Sequence, residues 1–287
     1  MPGDTPLSPP PLDAAPARPP APGRPWGRYG LRVLAIGYLV AILAAPLALV
    51  FLRTFETGLG PAWESVTSDT ALSALRLTLI AAAIAVPCNA VFGVIAALVL
   101  ARPRLPGRPL LSVLIDLPLA LSPVVVGLAL ILVWGRTGWF GEWMNERGAQ
   151  VIFATPGIVL ATIVVSLPFV VREVLPVLRE MGTDQNEAAA VLGASPAQTF
   201  WRITLPSIRY GLAYGVVLTT ARALGEYGAV AVVSGKIAGR TETLTLRVEE
   251  RFQAFDLVGA YAASVVLAIL ALLTVMVMRV INRKDAP

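Results

Sequence analysis

Six apolar stretches, each about as long as a membrane-crossing helix, dominate this sequence. They cover residues 31–52, 77–100, 110–134, 156–171, 211–233 and 258–280. About 20 residues at 1.5 Å per residue cross the ~30 Å hydrocarbon core of a bilayer. Only 14% of the 287 residues are charged and 56% are hydrophobic, whereas soluble domains carry about 25% charged residues. We therefore predict an all-α polytopic integral membrane protein with six transmembrane helices.

The residue types that are missing exclude several kinds of chemistry. The sequence has no histidine and a single cysteine, Cys88. Without histidine there is no Ser-His-Asp or Cys-His catalysis, and most zinc and haem sites are ruled out. One cysteine cannot form an internal disulfide. Because no G-x-x-x-x-G-K-[ST] motif occurs either, we expect no catalytic site, no metal site and no cofactor on this chain.

Charge and proline content suggest how the chain is divided and oriented. Residues 1–28 are proline-rich and are predicted to form a disordered cytoplasmic tail. Residues 29–69 hold the first span and an external loop, residues 70–280 the main membrane domain, and residues 281–287 a short tail. If the amino terminus is cytoplasmic, the cytoplasmic segments hold twice as many Lys and Arg residues as the external ones. This bias places both termini in the cytoplasm, because basic residues favour that side of the membrane.

The longest cytoplasmic connection is predicted to contain two short helices. The Asp184–Glu187 spacing is typical of a capping box, and Gly193 supplies a left-handed helix end. Ser195 and Gln198 form a second capping-box pattern, and the second helix is expected to end before Pro206. The first helix is almost entirely apolar, so it either presents a partner-binding face or lies back on the protein's own spans.

This connection resembles the E-A-A loop of binding-protein-dependent ABC importer permeases. The matching positions are Glu187, Ala188, Ala189, Gly193, Ile203, Leu205 and Pro206. The resemblance extends over about residues 70–280 and implies the ABC type I importer permease fold. It also implies that residues 184–206, the coupling segment, dock on an ATPase subunit, with Glu187 and Gly193 shaping the coupling helix. Simple capping is the structural alternative for Glu187.

A second set of strings narrows the resemblance to oxyanion importers. The run ARALGEYGAVAVVSG after residue 220 is similar to sulfate/thiosulfate and molybdate permeases, and the neighbouring strings LPFVVREVLPVL and VGAYAAS look most like the W-type sulfate subunit. The resemblance implies a second, T-type permease subunit, two ATPase copies that carry ATP-Mg, and a periplasmic or lipid-anchored sulfate-binding protein. It further implies a location in the bacterial inner membrane and no nucleic-acid partner.

Charged and hydroxyl side chains within the apolar stretches are candidates for the anion path. Arg222 lies near the middle of the fifth stretch, and Glu226 follows four residues later on the same helix face. Either Arg222 attracts a divalent anion while Glu226 tempers the attraction, or the two form a structural ion pair. In the third stretch, Ser122 precedes Pro123, a pattern typical either of a broken helix at a transport path or of an ordinary proline kink.

The function expected from these features is ATP-driven sulfate or thiosulfate import by alternating access. A molybdate or tungstate permease is an alternative, because the run around Arg222 is shared among oxyanion importers. A secondary transporter would need no E-A-A loop and should show matching repeats. A membrane-embedded enzyme is disfavoured by the lack of histidine and of clustered acids within the spans.

Overall fold

The computed structural model describes residues 25–56, 58–102 and 106–283, and the regular structure in these ranges is helical. The helices are α1 (Pro25–Leu39), α2 (Ala45–Phe55), α3 (Leu59–Thr67), α4 (Asp69–Ala101), α5 (Arg108–Ala120), α6 (Pro123–Trp134), α7 (Gly141–Glu146), α8 (Thr155–Met181), α9 (Asp184–Val191), α10 (Pro196–Thr199), α11 (Leu205–Leu224), α12 (Gly228–Val233), α13 (Leu244–Gln253) and α14 (Leu257–Arg283). The all-α prediction is confirmed.

The chain divides into two units, Met1–Leu49 and Val50–Pro287. In the first unit α1 leads through a wide π-helical turn, Val40–Ala44, into the start of α2. The run Gly30–Phe55 is apolar and long enough to cross a membrane. The predicted tail overlaps α1, because residues 25–28 already belong to that helix; residues 1–24 of that tail, and 284–287 of the terminal one, lie outside the described part of the chain.

In the second unit, α4, α8 and α11 pack closely around an aliphatic core. Val94, Leu100, Val170, Val174 and Ile208 are among its buried residues. The helices approach each other at small residues: a Cβ atom at Gly93 would lie 2.6 Å from Val170 Cβ, and one at Gly215 would lie 2.9 Å from Val170 Cα. Such contacts are typical of membrane helices, where packing is the main attraction between them.

The helix α4 begins earlier and α8 ends later than the hydrophobic pattern predicts. Ser68 caps α4, and its Oγ accepts the N–H of Ala71 at 3.4 Å. The helix α8 continues through Arg172 and Glu173 to Met181, whereas the sequence prediction ended this span at Val171. A helix tolerates charged residues wherever their side chains reach a partner or a polar region, so the apolar run underestimates its length.

Two of the six predicted spans are broken. Helices α5 and α6 meet at a bend of 114°, and the predicted span 211–233 is divided into α11 and α12. By length and apolarity the described residues contain four candidate membrane-crossing helices, or five if α5 and α6 count as one span. The α11–α12 pair is not in this set, since its charged and hydroxyl residues lower its hydropathy, so the count of six straight spans is not reproduced.

Candidate coupling segment and helix-break site

The first helix of the coupling segment, residues 184–206, begins one residue earlier than predicted, because the cap is not Asp184 but the residue before it. Thr183 is the N-cap of α9 and makes no side-chain capping bond. The predicted capping box over Asp184 and Glu187 is therefore wrong. Both acids lie instead in the first turn of α9, where a negative charge complements the partial positive charge of the helix amino terminus.

The glycine and the second cap of this segment are confirmed. Gly193 has φ +82°, the left-handed conformation that ends helices, and Ala194 N–H donates to Ala189 C=O at 3.0 Å. Ser195 then opens α10: its Oγ accepts Gln198 N–H at 3.3 Å, while its own N–H donates to Gln198 Oε1 at 2.9 Å. A four-residue connection, 192–195, held by these backbone and capping hydrogen bonds, thus joins α9 to α10.

Pro206 does not end a helix, contrary to the sequence prediction. After α10 the chain makes a wide π-helical turn, Phe200–Thr204, and passes directly into α11. Leu205 N–H donates to the carbonyl of Phe200, five residues earlier. The wide turn resets the hydrogen-bonding register, so Pro206 occupies the first turn of α11, where a missing N–H is tolerated.

The tip of the coupling segment is apolar and exposed. Val191 and Leu192 are each 87% exposed, and Trp201 is 66% exposed, whereas Ala189 is buried. Glu187 is also exposed. The helix α9 therefore buries Ala189 and part of Asn186 but directs its last apolar side chains outward, so the alternative that the whole helix lies back on the spans does not hold.

The other end of the segment is anchored in the core. Leu205 and Phe200 pack against the buried cluster that contains Val174, Leu178 and Ile208. Force applied at the exposed tip would reach α8 and α11 through these contacts, since packed cores move as units rather than deforming continuously.

The two helix breaks lie against each other. A Cβ atom at Gly228, the first residue of α12, would lie 2.9 Å from Pro123 Cβ, next to Ser122. One at Gly127 in α6 would lie 2.9 Å from the carbonyl oxygen of Ala229. Ser122 has extended backbone dihedrals (φ −61°, ψ 137°), the conformation that a following proline favours. The break at Ser122 is thus larger than an ordinary proline kink.

Arg222 and Glu226 form an ion pair across the end of α11. Arg222 Nη1 lies 2.5 Å from Glu226 Oε2, and the other carboxylate oxygen accepts the N–H of Ala229 at 2.9 Å. Thr245 Oγ1 in α13 donates to the carbonyl of Glu226 at 2.8 Å. Glu226 is 3% exposed, whereas the Arg222 side chain keeps 29% exposure. Arg222 and Glu226 do not share a helix face as predicted, because Glu226 follows the end of α11. Their predicted pairing is nevertheless present.

Asp116, an acid within the third apolar stretch, has a partner in α8. Arg172 Nε lies 3.0 Å from Asp116 Oδ1, and this pair joins α5 to α8. Both residues lie well inside their helices, so Arg172 is not part of a cytoplasmic loop as the span prediction had it. Asp116 lies near the start of the third apolar stretch, and Arg172 directly follows the end of the fourth. Opposite charges near the same side of two apolar stretches are the sequence signal that could have predicted this pair.

The segment between α12 and α14 is folded, and its charged residues are largely paired with one another. Arg247 and Glu242 are buried with 3.5 Å between Nη1 and Oε2, and Arg247 Nη2 also donates to Ser68 Oγ at 3.1 Å. Burial raises the pKa of the Glu242 carboxyl, Arg247 opposes this shift, and Glu250 adds to it. This segment is therefore not a simply solvated run of mixed charges.

The molecule thus combines long apolar helices, two helix breaks in contact and an exposed loop helix. These features are typical of a polytopic membrane transport protein. The family model described as "Binding-protein-dependent transport system inner membrane component" matches residues 89–284. The chain belongs to this family and is a multi-pass membrane permease subunit.

Curated relatives match almost the whole chain. The sulfate transport system permease protein CysW of Synechocystis sp. is 48% identical over 257 residues, covering 90% of this chain and 93% of the relative. CysW of Escherichia coli K12 is 46% identical over 251 residues, covering 87% and 86%. The sulfate transport system permease protein CysT of the same strain is 40% identical over 232 residues, covering 80% and 84%.

A solved structure shows the same fold. A bacterial ABC transporter involved in the import of the acidic polysaccharide alginate matches with a TM-score of 0.76 at 19% identity, covering 92% of this chain and 97% of that chain. At this identity the similarity establishes the ABC importer permease fold alone.

Proposed function

We propose that this chain is the W-type permease subunit of an ATP-driven importer of sulfate or thiosulfate. The observation that carries the proposal is the 46–48% identity to CysW subunits over nearly the full length of the chain. The molybdate and tungstate alternative has no comparable support among these relatives. In the proposed complex, a T-type permease subunit completes the path, two ATPase copies bind ATP-Mg, and a periplasmic or lipid-anchored binding protein delivers the anion.

The coupling segment supports an ATP-driven mechanism. Its tip exposes Val191 and Leu192, and an exposed apolar surface of this kind suits a groove on a partner protein. Leu205 and Phe200 fix its other end in the core. Closure of the ATPase dimer would move the tip and rock α8 and α11 toward an outward-open state, and hydrolysis would restore the inward-facing state. On this proposal the loop is cytoplasmic, as are both termini, in a bacterial inner membrane.

The helix-break site is proposed to line the anion path. The Arg222 guanidinium is partly exposed while Glu226 is buried and also caps α12. Glu226 would hold Arg222 in place and reduce its net attraction, so that a divalent anion passes without binding tightly. Ser122, exposed at the adjacent break, adds a hydroxyl donor.

Coupling is tested by ATP hydrolysis in the complex co-purified with its ATPase, with and without sulfate-loaded binding protein. We expect stimulation by the loaded protein in the natural sequence and its loss in Glu187→Ala. The matched control is Glu180→Ala, which removes an equally exposed acid at the end of α8.

A different outcome would contradict the ABC mechanism. If no ATPase co-purifies and sulfate uptake persists on an ion gradient alone, the ABC mechanism is wrong for this chain and an ion-coupled transporter takes its place.

A further inference from the structure

An open cavity of about 850 Å³ lies behind the coupling segment. Its walls come from the ends of α4, α5 and α8 and from the inner side of residues 183–204. This volume falls within the roughly 300–1,000 Å³ that is typical of small-molecule sites. The cavity is separate from the helix-break site, which lies at the opposite end of α11.

Three arginines line this cavity. They are Arg102 at the end of α4, Arg108 at the start of α5 and Arg179 near the end of α8. Among the side chains that the structure describes, none of the three has a carboxylate oxygen within 4.0 Å. Asp184 is the one carboxylate among the described residues that line the cavity. The cavity therefore carries an excess of unpaired positive charge.

Neutral polar groups and apolar side chains complete the lining. Thr183 and Asn186 face the cavity, and Asn186 Oδ1 is buried without a hydrogen-bond partner in the described chain. Leu178 and Phe200 add apolar surface. Basic residues at helix ends are expected wherever a membrane protein meets the cytoplasm, but that preference does not require three of them to face one cavity.

We propose that this cavity is a binding site for a tetrahedral oxyanion, supplied either as free phosphate or sulfate or as the phosphate of an anionic lipid headgroup. Guanidinium groups bind such oxyanions with two parallel hydrogen bonds, and basic pockets between membrane helices bind lipid phosphates. A bound oxyanion would connect Arg179, next to the start of α9, with Arg102 and Arg108. It would therefore tie the end of α8, which leads into the coupling segment, to the ends of α4 and α5.

The test uses the purified, delipidated full-length protein in detergent, so it does not depend on sulfate import. Binding of radiolabelled inorganic phosphate is measured by equilibrium dialysis, and retention of phosphatidylglycerol against phosphatidylcholine by native mass spectrometry. The variants are Arg179→Gln and, as matched control, Arg202→Gln, which removes an exposed arginine of the same region that does not line the cavity. Arg179→Lys, which keeps the charge, checks that the site itself is intact.

We expect Arg179→Gln to weaken binding about tenfold or more, as loss of a charge-assisted hydrogen bond does, with Arg202→Gln unchanged and Arg179→Lys intermediate. Phosphate binding with this pattern identifies a free oxyanion as the source. Selective phosphatidylglycerol retention with this pattern, without phosphate binding, identifies the lipid headgroup. Binding of neither probe, or equal losses in Arg179→Gln and Arg202→Gln, overturns the proposal.

Discussion

The guanidinium of Arg222 lies 2.5 Å from the carboxylate of Glu226, on opposite sides of the point where α11 ends. The same carboxylate accepts the N–H of Ala229 in the first turn of α12. One buried side chain therefore fixes both a cation and the start of the next helix. Side-chain contacts on both sides therefore stabilise the break between α11 and α12.

Removing the charge of Glu226 is expected to destabilise the protein. In Glu226→Gln the amide oxygen can still accept from Ala229, but Arg222 loses its counter-charge. A lone buried charge costs about 3–5 kcal/mol; because Arg222 is partly exposed, we expect about 1–3 kcal/mol. Thermal unfolding in detergent measures the loss, and Glu142→Gln, at an exposed acid of α7, is the control.

The double variant Arg222→Gln/Glu226→Gln separates a structural pair from a pathway residue. Replacing both charges removes the uncompensated partner, so we expect most of the stability to return. If Arg222 lines the anion path, sulfate uptake stays low in this stable variant and is partly retained in Arg222→Lys. Uptake that returns together with stability would show that the pair is structural only.

The contact between the two broken helices predicts a steric effect at Gly228. A methyl group there would lie 2.9 Å from Pro123 Cβ, so Gly228→Ala forces α6 and α12 apart and is expected to cost about 1–3 kcal/mol. Gly225→Ala is the matched control, because its added methyl meets only Ala221 O at 3.6 Å. Unfolding midpoints and sulfate uptake are measured for both variants, and equal effects would refute the contact.

The sequence predicts the parts of this fold that local chemistry controls. Ser195 and Gln198 form their capping box and Gly193 takes its left-handed conformation, because each depends on neighbours within a few residues. Apolar runs likewise locate α4, α8 and α14, although not their ends.

Features that depend on contacts between distant residues could not be predicted from the sequence. The N–H of Leu244 donates to Thr78 Oγ1, and the amide of Asn89 donates to Ser166 Oγ at 2.8 Å between α4 and α8. Pro206 illustrates the same limit, since its place inside α11 follows from the wide turn before it. Neither the register of that turn nor the pairing of separate helices is encoded in a local pattern.

The exposed tip of α9 predicts a loss of partner binding without loss of fold. Leu192 is 87% exposed, so Leu192→Ser is expected to change the stability of this chain by no more than about 0.5 kcal/mol. Burial of a leucine at an interface contributes about 1.5–3 kcal/mol, and we therefore expect ATPase co-purification to fall at least tenfold. Leu59→Ser in α3, also at an exposed leucine, is the control, and an unchanged ATPase yield in Leu192→Ser would contradict docking through this tip.

Two nearby glutamates are expected to give opposite pH dependences of stability. Burial raises the pKa of Glu242 above its ordinary value of 4.5, so the folded state holds the proton more tightly than the unfolded state does. The contribution of Glu242 to the free energy of unfolding is fully present below pH 4.5 and is lost as the pH rises through the raised pKa. Burial also tends to raise the pKa of Glu249, but hydrogen bonds from Tyr227 and Lys236 outweigh this effect, so the pKa is lowered overall. Its contribution is present above pH 4.5 and is lost as the pH falls through the lowered pKa.

Unfolding midpoints measured from pH 4 to pH 8 in Glu242→Gln and Glu249→Gln test this difference. Above pH 4.5, Glu242→Gln removes a carboxylate whose ionisation opposes folding, so its stability should fall less steeply with rising pH than that of the natural sequence. Glu249→Gln removes a carboxylate that Lys236 stabilises at 3.0 Å, so it should lose stability throughout the range above pH 4.5 and less below it. Parallel pH profiles for the two variants would show that the burial of Glu242 does not control its ionisation.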